Sequence, residues 1–101
     1  MAVNIKAVTS CLGYQQITSL SSAAALTVPT TDKLGNKQQP TFALIIPEGQ
    51  AVRWRDDGTA PTATVGMPLA VGVTLQYDGD LTKIRFIEQV GGAKLNISYY
   101  A

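Results

Sequence analysis

Apolar and polar residues alternate in short runs along most of this chain, at the period of half-buried β-strands. The first run is Val3-Asn4-Ile5-Lys6-Ala7-Val8. The second, Cys11-Leu12-Gly13-Tyr14-Gln15-Gln16-Ile17, carries a glycine where a bulge or bend is expected. Residues 19–22 read as a polar turn. Residues 23–28 hold three alanines but stop at Val28-Pro29, and a residue before proline prefers extended geometry. A strand with Ala24, Leu26 and Val28 facing inward is therefore expected there. Residues 30–40, with Asp32, Gly35, Asn36, two Lys and two Gln, form an exposed loop.

The run Thr41-Phe42-Ala43-Leu44-Ile45-Ile46 is nearly all apolar and rich in β-formers. It reads as a central strand covered on both faces. Pro47-Glu48-Gly49-Gln50 reads as a tight turn, so residues 42–46 are expected to pair with residues 51–55 as a hairpin. Beyond Asp57-Gly58 a long polar loop, residues 56–68, leads back into the sheet. In Val71-Gly72-Val73-Thr74-Leu75-Gln76-Tyr77 the alternation puts Val71, Val73, Leu75 and Tyr77 on one face. Asp78-Gly79-Asp80 and Gly91-Gly92 are turn signals around a strand with Ile84 and Phe86 inward. A last strand puts Leu95, Ile97 and Tyr99 inward. No window carries a capped amphipathic helix. The chain is expected to be an all-β single domain over residues 1–101. Its architecture is a small antiparallel β-sandwich or jelly-roll-like barrel of about seven to eight short strands.

Composition narrows the function. The chain has 101 residues, a net charge of +1 and 15% charged residues, against about 25% in ordinary domains. With 46% hydrophobic residues, much of the surface is either a neutral Thr/Ser/Gln-rich skin or is covered by a copy of itself or a partner. Nucleic acid is disfavoured as main partner because backbone binding needs a concentrated basic footprint. A membrane is disfavoured because the longest apolar runs fall far short of the ~20 residues of a bilayer span. The start of the chain lacks the basic and apolar segments of a secretory signal. One cysteine, Cys11, excludes an internal disulfide, in keeping with folding in a reducing cytoplasm.

Candidate chemistry is sparse. There is no histidine, the commonest general base and metal ligand near neutrality. Cys11 therefore has no imidazole to activate it, and reads as a small buried hydrophobe. Asp56-Asp57 and Asp78-Gly79-Asp80 invite a carboxylate-pair or calcium reading, but these are also the residues that turns require. Neither stretch has the spacing of a calcium loop, and Gly58 and Gly66 are followed by no phosphate-loop lysine. Asn96-Ile97-Ser98 fits a glycosylation sequon and reads as plain strand. No catalytic, metal or cofactor site is expected. Arg53-Trp54-Arg55 sets an aromatic residue between two basic ones. In a strand Trp54 points opposite to both arginines, toward the core or a protomer interface. A stacking platform for a base or sugar is the competing reading. The candidate interface residues are Arg53, Trp54, Arg55, Asp56 and Asp57.

The segment from Gln50 through Arg53-Trp54-Arg55-Asp56-Asp57-Gly58 to Met67 resembles small structural proteins associated with the virions of tailed bacteriophages. The closing stretches Ile84-Arg85-Phe86-Ile87-Glu88 and Gly92-Ala93-Lys94-Leu95-Asn96-Ile97-Ser98-Tyr99-Tyr100 resemble the end of the same group. The resemblance implies a non-enzymatic, many-copy virion component of the head decoration or cement kind. Such a protein is made in the host cytoplasm, self-associates, and binds the major capsid protein. A tail, fibre-base or baseplate component is the alternative within that class. A carbohydrate-binding module for host surfaces, stacking sugars on Trp54, Tyr14 or Tyr77, is the alternative outside it.

Overall fold

The computed structural model describes residues 10–101; the strand expected at residues 3–8 lies outside them. Eight strands follow in order: β1 (Cys11–Ile17), β2 (Ala24–Ala25), β3 (Phe42–Glu48), β4 (Val52–Arg55), β5 (Met67–Leu69), β6 (Leu75–Tyr77), β7 (Arg85–Glu88) and β8 (Lys94–Tyr100). They form two antiparallel four-stranded sheets, ordered β1-β8-β3-β6 and β2-β7-β4-β5. The pairing is nested. β1 pairs with β8, β2 with β7, β3 with β6 and β4 with β5. Two further ladders, β3 to β8 and β4 to β7, fold this double ribbon over on itself. The result is the double-sheet jelly roll, an eight-stranded sandwich that folds two Greek keys together.

Alternation decides what enters the space between the sheets. Leu95 and Ile97 from β8, Ala43 and Ile45 from β3, Val52 from β4 and Phe86 from β7 are all 0% exposed. Ile84, Leu20 and Tyr99 join them. Leu95, Ile97, Tyr99, Ile84 and Phe86 point inward as the periodicity predicts. The hydroxyl of buried Tyr99 is matched: it donates to Gln15 Oε1 at 2.7 Å, and the same oxygen accepts the Thr27 N–H at 3.1 Å. Gln15 thus ties β1 to the segment that follows β2. The register shift between Cys11 and Gly13 is the expected bulge.

Several local expectations are corrected. The hairpin expected between residues 42–46 and 51–55 does not form: β3 and β4 lie in different sheets. The link between them is an arch. Gly49 takes φ +83°, and a Cβ there would stand 2.7 Å from the Gly92 carbonyl oxygen. That contact packs the arch against the β7–β8 link, which also switches sheets. β3 finds its partner in β8 instead, matching it over its full length. Pro47 and Glu48, expected in a turn, are strand residues, and Pro47 sits opposite Leu95.

β3 is fully covered on one face only. Phe42, Leu44 and Ile46 on its outer face are half-buried. The run at residues 71–77 is a strand only over its last three residues. Val71 and Val73 are 51% and 50% exposed, because Val73 N–H closes a turn onto the Ala70 carbonyl and Gly72 takes φ +78°. Cys11, expected to be buried, is intermediate, with Sγ 3.6 Å from Ser98 Oγ. Residues 30–40 are exposed as expected, apart from half-buried Asp32 and Pro40. They are also organised: Asp32 Oδ1 accepts the Leu34 and Asn36 N–H groups, and Thr31 bridges to Lys37.

Candidate functional site

β4 is the strand Val-Arg-Trp-Arg, and its alternation sorts the candidate residues onto two faces. Val52 and Trp54 face inward. Trp54 lies opposite Phe86 and packs edge-on against Tyr77, with ring centroids 5.9 Å apart at 68°. Tyr77 is itself buried, and its hydroxyl donates to Asp56 Oδ2 at 2.6 Å. Burial first, and the Asp56 carboxylate second, push the Tyr77 phenol well above its ordinary range. Trp54 and Tyr77 are thus packed against each other, with Trp54 partly buried at the edge of the core. Asp56 is the anchor at the start of the β4–β5 loop.

Arg53 and Arg55 face outward, and each organises the loop. Arg53 Nε donates to the Ala63 carbonyl at 3.2 Å and Nη1 to the Gly66 carbonyl at 2.9 Å. That grip holds the loop over β4, where Pro61 is buried beneath it. Arg55 forks onto Asp57, Nε to Oδ1 at 3.0 Å and Nη2 to Oδ2 at 2.5 Å. The fork holds the Asp57 carboxyl below its ordinary range and raises the Arg55 guanidinium further. Asp56 and Asp57 therefore serve different partners and do not form a carboxylate pair. Asp80 is likewise a turn cap, accepting the Thr82 hydroxyl and N–H. Among the described residues no group of three His, Cys, Asp or Glu is placed to hold a metal.

The register adds one residue that the sequence did not single out. β4 pairs with β7 so that Arg55 stands directly opposite Arg85, and Ala25 of β2 continues the same row. The adjacent outward row is Ile87, Arg53 and Pro68. Arg85 is exposed, since its neighbour Phe86 faces the core. The placement of Ile84 and Phe86 on one face already put Arg85 on the other. The missing information was the partner strand, which only the fold supplies. The outer face of this sheet thus carries three arginines and three apolar residues.

The outer face of the first sheet is different. Phe42 and Tyr100 stack at 5.2 Å, and Leu44 and Ile46 extend the apolar stripe along β3. Tyr14, 64% exposed, donates to Asn96 Oδ1 at the side of that stripe. Charges here are matched across the ladder, Glu48 opposite Lys94.

No family model, curated protein or solved structure matches this chain.

Proposed function

We propose that this chain is a non-enzymatic virion structural protein of a tailed bacteriophage, a head decoration or cement protein that binds the major capsid protein and itself. The observation that carries the reading is the outer face of the first sheet, where Phe42, Leu44, Ile46 and the Phe42–Tyr100 stack remain half-exposed. Neutral and apolar side chains on a sheet face can be covered by a partner without stranding charges away from water. On a symmetric shell, many copies of such a modest contact add up to a large avidity. The sequence resemblance at residues 50–67 and 84–100 points the same way. The jelly roll serves viral capsid and lectin domains alike, so the fold does not choose between them.

The test is co-sedimentation of the purified chain with the heads and, separately, the tails of the phage that encodes it. The decoration reading predicts saturable binding to heads in fixed ratio to capsid subunits, and heads that withstand heating better when coated. Binding to tails alone would move the protein to the tail or baseplate. Binding to neither would sink the assembly reading.

A further inference from the structure

We infer that the outer face of the second sheet, centred on Arg85 and Arg55, docks a carboxylate-bearing segment of a partner protein. Like charges placed directly opposite on neighbouring strands destabilise a sheet, yet Arg55 and Arg85 are register partners. The first sheet does the reverse, setting Glu48 against Lys94. Elsewhere Lys83 lies near enough to Asp80 to lower its carboxyl further, after the Thr82 hydrogen bonds.

The three arginines of this face differ in what they still have to offer. Arg53 is tied down by the carbonyls of Ala63 and Gly66, which take its Nε and Nη1. Arg55 forks onto Asp57 with Nε and Nη2, which leaves Nη1 without a partner among the described residues. Arg85 has neither a hydrogen bond nor an ion pair among the described residues, where Arg55–Asp57 is the sole salt bridge. An exposed guanidinium with a whole fork free, beside a second arginine, is complementary to a carboxylate. An incoming carboxylate would take the Arg85 fork and lower the repulsion between Arg85 and Arg55.

The surroundings select the class of partner. Ala25 flanks Arg85 with a side chain too small to screen it, while Ile87 and Pro68 supply apolar area in the next row. Arginine set among apolar residues is the composition of protein interfaces. A nucleic-acid surface would need basic residues along a longer track, whereas among the described residues this face offers three arginines, of which Arg55 is already paired with Asp57. The inference rests on the virion reading only for which protein supplies the carboxylates.

The experiment is a titration of the full-length, isotope-labelled chain with a short glutamate-rich peptide, followed by nuclear magnetic resonance. Inorganic phosphate and a short DNA duplex serve as comparison probes. The expected result is a saturable shift of the Arg85 Nε–H signal and of the amides of Ala25, Arg85 and Ile87, weakening as salt is added. Arg85→Gln should weaken peptide binding by about fivefold, the scale of one exposed ion pair. Arg85→Lys should fall between, keeping the charge and losing the fork. Lys94→Gln, on the other sheet, should change nothing.

Shifts centred on Lys33, Lys37 or Lys94, or undiminished binding by Arg85→Gln, would overturn the inference. So would tighter binding to the duplex than to the peptide, or phosphate shifting Arg85 as effectively as the peptide does. Head binding undiminished in Arg85→Gln would also overturn it while leaving the virion reading in place. Peptide binding at Arg85 by a chain that sediments with neither heads nor tails would uphold it and sink the virion reading instead.

Discussion

Tyr99 shows how one buried side chain sets the alkaline limit of the fold. Its hydroxyl is held by Gln15 inside the sandwich, and burial pushes its phenol from 10.0 up to about 12. A folded-state value above the unfolded one means that the contribution is full below pH 10 and is lost as pH rises toward about 12. Tyr77 shifts in the same direction, from burial and then from Asp56. The urea midpoint is therefore expected to fall steeply above pH 10, and less steeply in Tyr99→Phe; equal slopes would contradict the assignment. At the acid end the sign reverses. Asp57, Asp80 and Asp32 are held below the ordinary 3.8 by Arg55, Thr82 and the Asn36 N–H respectively. Their contribution is present above that value and disappears as pH falls below it. In the core, Phe86→Ala should cost about 3–5 kcal/mol by chemical denaturation, the range for emptying a buried aromatic site. That Phe86, Ile97 and Tyr99 point inward was legible from alternation. What Arg85 faces was not, because register is a property of two strands.

Elements were legible where a strand was long and regular, and were misread where neighbours in sequence were taken as neighbours in space. β8 emerged from period-two patterning with its inward residues correct, and β1 emerged as a strand with its irregularity at Gly13. The hairpin expected between β3 and β4 failed because a turn signal fixes a change of direction, not the sheet the chain re-enters. Of the consecutive links, only β4 to β5 stays within one sheet. Gly49 and Gly58 separate these two kinds of turn. Both take positive φ, but a Cβ at Gly58 meets open space whereas one at Gly49 meets the Gly92 carbonyl. Gly58→Ala is expected to cost about 1–2 kcal/mol, the backbone term alone. Gly49→Ala should cost clearly more and lower the melting temperature further, because two arches must separate. Equal melting temperatures would show that the arches are not packed together as described.

At the scale of the molecule, nested pairing makes β1 and β8, the elements farthest apart in sequence, direct partners. Closing such long loops before any contact repays them slows folding. Refolding followed by Trp54 fluorescence is expected on the millisecond-to-second scale typical of all-β domains; a microsecond phase carrying the full amplitude would contradict the topology. The same nesting gives the molecule two unlike outward sheets, an apolar and aromatic one built on β3 and β8 and an arginine-bearing one built on β4 and β7. The low charged fraction left two readings open, a neutral Thr/Ser/Gln-rich skin or a surface covered by a copy or a partner. It could not divide that surface into two, since the division depends on which strands share a sheet. The most direct test of the central claim, that these sheet faces are assembly surfaces, is hydroxyl-radical footprinting of the chain bound to heads against the chain free in solution. The account predicts strong protection of Phe42, Leu44, Tyr14 and Tyr100, with Leu34 at the exposed 30–40 turn unchanged. Equal labelling of the sheet faces in both states, with protection confined to the loops, would contradict it.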